Sequence, residues 1–448
     1  MNRPLILLFL FALVAGGLAA LTLPTDAAPT SDYYAWERIT LDSQNDVGSY
    51  LSLEGYYGAT APTIAYYDAT AKDLKLARPI PGNCGLAGSW TCEILDSTSS
   101  TDVGQWVSLA FNGTDYGVVY YDAFFGVNRY TAPAEGIFGE EIELVSGPTV
   151  GTANALVYSD GTPHVAYLRD VANQRFGFAE RVGSNGNCST AWECTVIAPT
   201  GGSFSIDAGV FSGVGLAYSS SSAGLAYAHP VASGGNCGGG KWACETVYAN
   251  ALATSTSFHM ARCGLISCSS PSQIAYYDYL LGGLIYAERV ENGQGNCAGN
   301  PNWKCAFIEF AGLPLDLINP GLSLVVDENN QPVILYQDFL EDGYTNTVVK
   351  AAWPSADGNC GPTQNWQCVI VDTGYRAGAW MDVGASLDAE LVDNRIFAAY
   401  YEAGNGDLVL LSEPAPPATP TPTPTIPPTV TPSPVAIPAQ AYLPLIQK

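Results

Sequence analysis

The sequence predicts an all-β protein: a seven-bladed β-propeller of four-stranded antiparallel blades, with an N-terminal strand completing the last blade. Three observations predict it. One short phrase recurs seven times, a second phrase carrying paired cysteines recurs five times, and the two ends of the repeat region are incomplete in complementary ways.

The first phrase is clearest in Ile64-Ala65-Tyr66-Tyr67-Asp68. It returns as Val118-Val119-Tyr120-Tyr121-Asp122, Val165-Ala166-Tyr167-Leu168-Arg169-Asp170 and Leu216-Ala217-Tyr218-Ser219-Ser220. It returns again as Ile274-Ala275-Tyr276-Tyr277-Asp278, Ile334-Leu335-Tyr336-Gln337-Asp338 and Ala398-Ala399-Tyr400-Tyr401-Glu402. Self-similarity at roughly fifty to sixty residues marks a repeat architecture. It outweighs the two or three domains that a length of 448 residues would suggest.

Each repeat reads as four strands. In the first, Tyr50 to Leu53 is strand A, Thr63 to Asp68 strand B, Asp73 to Arg78 strand C and Trp90 to Leu95 strand D. Tyr, Val, Ile and Leu crowd these segments, and Gly, Asn, Pro and Ser fill the gaps. Strands A and B alternate only weakly, as in sheets covered on both faces.

The second phrase, Gly-Asn-Cys followed by Trp-x-Cys, falls between C and D. It occurs at Cys84/Cys92, Cys188/Cys194, Cys237/Cys244, Cys297/Cys305 and Cys360/Cys368. Gly-Asn is expected to supply the positive-φ residues of a tight connection. The cysteines are expected to staple strand C to strand D and guard an exposed edge. With Cys263/Cys268 the twelve cysteines form six local pairs, which reads as a disulfide framework in an oxidising compartment. The second repeat lacks this phrase, and Glu140 to Val145 is expected to serve as its strand D.

The ends complete the count. Trp36 to Ser43 matches Trp90 to Ser97, a strand D with no A, B or C before it. Met381 to Asp388, Arg395 to Tyr401 and Asp407 to Leu411 supply A, B and C with no D after them. A ring closes if the first strand joins the last blade. An open solenoid would carry capping repeats instead.

Composition bounds the partners. With 17 basic and 42 acidic side chains the net charge is -25, which excludes a nucleic-acid binder built on clustered Lys and Arg. The expected partner is an extracellular glycan or protein, met by a monomeric chain. Asn2-Arg3, the apolar run from Leu5 and the small residues around Thr25-Asp26-Ala27 read as a signal peptide over residues 1–28. A membrane anchor is the alternative, since the run is near spanning length. The propeller is expected over 33–413, without membrane insertion. A Pro/Thr-rich, extended linker follows over 414–438, then a short apolar tail over 439–448. Linker and tail together read as a surface tether or as a disordered end.

The Ile-Ala-Tyr-Tyr-Asp phrase, a short loop and then Leu74-Lys75-Leu76-Ala77 resembles the repeats of secreted bacterial propellers of the sialidase-like superfamily. The resemblance implies fold more than activity. The Asp-boxes of that family, Ser-x-Asp-x-Gly-x-Thr-Trp, are missing, and Gly-Asn-Cys occupies their place. Arg78, Arg181 and Arg289 recur at the end of strand C and do not form that family's arginine set, so its catalytic residues are not carried over.

The candidate site lies where B–C and D–A loops open on one face. The carboxylates ending strand B point there: Asp68, Asp122, Asp170, Asp278, Asp338 and Glu402. Three D–A loops add Asp46-Val47-Gly48, Asp102-Val103-Gly104 and Asp382-Val383-Gly384. These lead into blades 1, 2 and 7, so Asp46, Asp68, Asp102, Asp122, Asp382 and Glu402 are expected to form an acidic arc at one channel mouth. Three readings stand for it. The carboxylates accept amides of their own loops; or Asp68, Asp122 and Glu402 hold a hard cation such as Ca²⁺; or two carboxyls form a glycosidase pair. Trp106, Phe124 and Trp380, with Phe125, Trp353 and Tyr375, fall outside the repeated positions and are candidate ligand-stacking residues. His164, His229 and His259 lack metal-site spacing and read as packing or surface residues.

Overall fold

The computed structural model describes residues 36–97, 102–144, 153–170, 175–198, 202–209, 212–220, 224–263, 270–290, 293–298, 300–311, 320–340, 346–376 and 378–414. The expected signal peptide, the tract beyond residue 414, Cys268 and the side chain of Asp170 lie outside them.

The chain forms a seven-bladed propeller of four-stranded antiparallel sheets. In blade 1 the strands, A to D from the axis outwards, are Val47–Glu54, Thr63–Asp68, Asp73–Arg78 and Thr91–Asp96. Blades 2 to 6 follow the same order over 103–141, 154–198, 204–248, 253–310 and 322–372. Blade 7 takes Ala385–Val392, Arg395–Glu402 and Asp407–Ser412 as A to C. Its strand D is the N-terminal Glu37–Asp42, paired antiparallel with Asp407–Ser412 from Glu37↔Ser412 to Thr40↔Val409. Each A strand packs on the next, and that of blade 7 packs on blade 1, so the ring closes.

Strand B is the buried centre of each blade, as its unbroken apolar run requires: all six residues of Thr63–Asp68 and of Gln273–Asp278 are buried. The first tyrosine of the repeated phrase, Tyr66, Tyr120, Tyr167, Tyr276, Tyr336 or Tyr400, is fully buried between blades. Blade-to-blade packing therefore makes the core, as seven contiguous apolar clusters. Among the described residues no helix is long and apolar enough to cross a membrane.

The cysteine phrase works differently from its sequence reading. Five disulfides form as paired, Cys84–Cys92, Cys188–Cys194, Cys237–Cys244, Cys297–Cys305 and Cys360–Cys368. Cys263 is also disulfide-bonded. The first cysteine sits in the C–D connection rather than on strand C, so the bond ties that connection back onto strand D. The asparagine does not adopt a positive φ, and neither does the glycine before it. Its side-chain amide instead pairs with the second cysteine's backbone as another strand would. Asn83 donates to the Cys92 carbonyl at 2.9 Å and accepts from the Cys92 N–H at 2.8 Å. Asn187, Asn236, Asn296 and Asn359 repeat this on Cys194, Cys244, Cys305 and Cys368. The glycine is required by contact: a Cβ at Gly186 would lie 2.1 Å from the Trp192 carbonyl oxygen. The phrase thus caps the outer edge of strand D, where unpaired backbone would otherwise face solvent. In blade 2, which lacks it, strand D is Ile137–Glu141 rather than the segment expected from Glu140 onward.

Between blades a recurring latch appears. The buried tyrosine of strand B donates its hydroxyl to a carboxylate at or beside the end of strand D of the preceding blade. Tyr66 reaches Asp42 at 2.7 Å, Tyr120 reaches Asp96 at 2.5 Å, Tyr167 reaches Glu143 at 2.8 Å and Tyr400 reaches Asp372 at 2.5 Å. Tyr336 binds Glu309 in the same way. A hydrogen bond to a charged acceptor contributes about 1.5–3 kcal/mol. Tyr120→Phe is therefore expected to destabilise by about that amount in denaturant unfolding, because Asp96 stays behind without its donor. Tyr218→Phe, where Ala198 occupies the carboxylate's register position, is expected to change stability by less than half as much.

Candidate functional site

The B–C and D–A loops do meet at one end of the propeller. The N–H groups of Ala69, Ala123 and Ala403 donate to the carbonyls of Asp46, Asp102 and Asp382 at 2.7, 2.7 and 2.9 Å. Each predicted acid of blades 7, 1 and 2 is engaged there. Asp68 accepts the amides of Thr70 and Ala71, and Asp122 those of Phe124 and Phe125. Their second oxygens take Asn45 at 2.9 Å and Arg129 at 2.7 Å. Glu402 takes Arg38 at 2.9 Å and Asn405 at 2.8 Å. Asp46, Asp102 and Asp382 bind back to the previous blade, on Tyr401 at 2.6 Å, Tyr67 at 2.7 Å and Thr347 at 2.9 Å. This is the pattern of turn and junction carboxylates. Among the described residues no group of three or more His, Cys, Asp or Glu is arranged to hold a metal ion.

The glycine of Asp-Val-Gly explains the junction. Gly48 and Gly104 have φ of 104° and 102°, and a Cβ on them would lie 2.9 and 2.8 Å from the Cα of Leu408 and Leu74. Strand A thus starts pressed against strand C of the preceding blade. Two residues further on, the backbone turns left-handed again at Tyr50 (φ 54°), Trp106 (φ 53°) and Ser386 (φ 51°). Each lies in a bulge of strand A, where two residues face one of strand B. A bulge re-aims the side chain it carries. For a bulky side chain the left-handed region costs about 1–2 kcal/mol, which the surrounding structure must hold in place.

The bulges line a cavity at the channel mouth. Its volume is about 360 Å³, and Tyr50, Trp106, Asn154, Gln337, Phe339 and Asp382 are among its walls. The rings of Tyr50 and Trp106 lie 4.6 Å apart. Asn154 holds the Trp106 carbonyl at 3.1 Å, Ser386 holds the Tyr50 N–H at 3.1 Å, and Gln337 donates to Asp382 at 3.4 Å. Of the sequence candidates, Trp106 and Asp382 belong to this wall. Tyr50, Gln337 and Asn154 went unread, although Tyr50, Trp106 and Ser386 all stand four residues after the aspartate of Asp-Val-Gly. The other aromatic candidates lie elsewhere. Phe124 is 62% exposed on a loop of blade 2 and packs edge-on against Phe125, at 4.9 Å. Trp380 pairs with Tyr375 at 5.2 Å in the hairpin between blades 6 and 7, and Trp353 packs on the apolar cluster of those blades.

A second cavity of about 520 Å³ occupies the rest of the channel, and Leu322 lines both. Its walls carry Glu54, Asp207, Asp388 and Glu390, with His259 and Arg262 on the same side as Asp207. No repeated phrase contains these acids, so the sequence reading passed over them. They converge because the ends of the A strands of blades 1, 4 and 7 face one axis. Asp388 accepts from the Leu53 and Ala389 N–H groups and from Ser323. Burial pushes its carboxyl up to about 6. Burial, then the charges of Asp388 and Asp207, pushes Glu390 up to about 8. Burial and the charge of Glu390 hold Glu54 well above the usual carboxylate range. Burial lowers His259, which Asp207 partly offsets, and lowers His164 to about 4.

No family model matches the chain, and no curated protein matches it. Solved structures do. AofleA from Arthrobotrys oligospora aligns over 75% of this chain and 91% of its own, at 11% identity and a TM-score of 0.41. A point mutant of the Aleuria aurantia lectin AAL, in complex with Fucα1-6GlcNAc, aligns over 73% of this chain and 97% of its own, at 12% identity and a TM-score of 0.36. Trypanosoma rangeli sialidase in complex with sialic acid aligns over 86% of this chain and 60% of its own, at 8% identity and a TM-score of 0.39. Likeness at this level assigns this chain no ligand and no reaction.

The raised carboxyls give a signed pH dependence. A group that holds its proton more tightly when folded stabilises fully below its unfolded pKa, near 4, and loses that contribution as pH rises through its folded value. Stability should therefore fall as pH rises through about 6 at Asp388 and about 8 at Glu390. Glu390→Gln is expected to unfold at a higher temperature than the unsubstituted chain at pH 9. The difference should close toward pH 4, as read by calorimetry across that range.

Proposed function

We propose that the chain is an exported, surface-tethered binding propeller whose ligand is an extracellular glycan, docked at the channel mouth on Tyr50 and Trp106. One observation carries this reading. Two aromatic residues of neighbouring blades are held in left-handed backbone conformations so that both rings line one cavity. Strain of this kind persists where the surrounding structure and a function over-determine it. The cavity combines aromatic faces with a few fixed polar groups, the usual make-up of a small-ligand site. Sugar C–H faces stack on such rings while hydroxyls reach Asp382, Gln337 and Asn154. A volume of about 360 Å³ suits one or two sugar residues better than a folded partner, which needs about 800 Å² of surface on each side. The apolar N-terminal run, the disulfides and the Pro/Thr-rich tract support export and tethering.

Calcium is not required by this reading, since Asp68, Asp122 and Glu402 already face cationic side chains. Glycoside hydrolysis is the second reading. It is favoured by the carboxyls at Asp388 and Glu390, whose pKa values lie apart in one cavity, as an acid and a base require.

A glycan-array screen of the mature chain, with and without chelator, identifies the ligand. Trp106→Ala and Tyr50→Ala are each expected to weaken binding by about tenfold or more, roughly 1.4 kcal/mol, while Phe124→Ala leaves it unchanged. Unaltered binding by Trp106→Ala would place the ligand elsewhere. Release of sugar from a bound glycan, lost in Glu390→Gln, would favour the second reading.

A further inference from the structure

The interblade latch has a charge pattern that singles out one blade. In blade 1 the Lys75 ammonium stands opposite Tyr66 in the strand ladder. It lies 2.5 Å from Asp42 and 3.8 Å from Asp68. In blade 6 Lys350 stands opposite Tyr336, 2.5 Å from Glu309 and 3.1 Å from Asp338. Arg129 serves Asp122 in blade 2. Arg38 and Arg376 serve Asp372 and Glu402 in blade 7. Two carboxylates and a cation thus recur as a unit.

Blade 4 has lost the whole unit. Ala198 stands at the strand-D carboxylate position, Ala226 at the cation position and Ser220 at the end of strand B. Blade 5 has lost only part of it. Tyr248 replaces the strand-D carboxylate and Ile285 replaces the lysine, yet Asp278 remains. Asp278 is 1% exposed. Its Oδ1 accepts the amides of Leu280 and Leu281 at 2.9 and 3.3 Å. Its Oδ2 and the hydroxyl of the fully buried Tyr276 have no hydrogen-bond partner among the described residues. Tyr276 and Asp278 stand two residues apart on one face of strand B, and the half-buried Tyr248 packs on the apolar cluster that holds Tyr276. A carboxylate buried with a bare oxygen is strongly unfavourable unless a counter-charge joins it.

We propose that a monovalent metal cation, Na⁺ or K⁺, binds between blades 4 and 5 where the lysine ammonium lies in blades 1 and 6. Asp278 Oδ2 and the Tyr276 hydroxyl are its protein ligands. Hard alkali cations take oxygen donors of this kind, and a single carboxylate matches one positive charge. A divalent ion would call for the second carboxylate, which Tyr248 has displaced.

The test is thermal unfolding of the full chain at neutral pH and fixed ionic strength, in NaCl, in KCl and in choline chloride. Choline, whose charge is shielded by three methyl groups, cannot be ligated by a carboxylate oxygen and a phenol. The midpoint is expected to be higher by roughly 2 °C or more in at least one of the small-cation salts. Asp278→Asn should remove that difference. Ile285→Lys, which restores a tethered ammonium, should remove it too while keeping the midpoint at or above the small-cation value. Crystals grown in RbCl should show anomalous scattering beside Asp278. Equal midpoints in all three salts would overturn the proposal. So would an undiminished salt difference in Asp278→Asn or Ile285→Lys, or an anomalous map without a peak there.

Discussion

Everything in this propeller rests on how one blade grips the next. At five of the seven blade boundaries the grip includes a buried tyrosine hydroxyl on a carboxylate of the preceding blade, with a basic side chain nearby. A sheet of four short strands cannot bury its faces alone, so each blade is stable only against its neighbours. Apolar packing supplies most of that contact but specifies no rotation between sheets. The latch does, since a hydrogen-bonded phenol and an ion pair tolerate little sliding. Its charged members are all present in blades 1 and 6 and all absent in blade 4, whereas blade 5 keeps only Asp278. Burying both partners of an ion pair, or neither, is tolerable, whereas burying one is costly.

The same grip shapes the channel. Gly48 and Gly104 press the start of strand A onto the preceding blade, and a bulge with one extra residue follows at once. That turns Tyr50 and Trp106 into the mouth. Farther along the axis, converging A strands bring Glu54, Asp388 and Glu390 together; burial favours the neutral form of all three, and neighbouring carboxylates add to it at Glu54 and Glu390. Junction geometry thus yields two chemically different ends: an aromatic mouth with fixed polar groups and a carboxyl-lined interior.

Outside the core the requirement is edge protection. The Gly-Asn-Cys phrase meets it with a side-chain amide that imitates a strand and a disulfide that keeps the amide there. Its tryptophan joins the phrase to strand D of the preceding blade: Trp192 and Trp303 donate to Glu140 and Glu245 at 2.8 and 3.0 Å. Arg181 and Arg289 reach the same two acids, which accounts for their recurrence at the end of strand C. Blade 2 has no such phrase and leaves Phe124, Phe125 and Phe138 exposed.

The repeated tyrosine phrase, the cysteine phrase and the complementary ends were sufficient, as sequence, for the all-β class, the number of blades and the closure by Glu37–Asp42. Those properties depend on pattern and period, which a linear chain displays. The acids ending strand D, Asp42 and Asp96 among them, were also visible but had no meaning until Tyr66 and Tyr120 were seen to reach them. Tertiary structure alone decided which of the 50 Tyr, Phe and Trp residues share a cavity, and that the acids of the loops are engaged while those of the A strands stay raised. Such properties arise from residues of different blades meeting about an axis, tens to hundreds of positions apart. A backbone turn at Trp106 or a bare oxygen at Asp278 is set by those neighbours and not by the residues adjoining it in the chain.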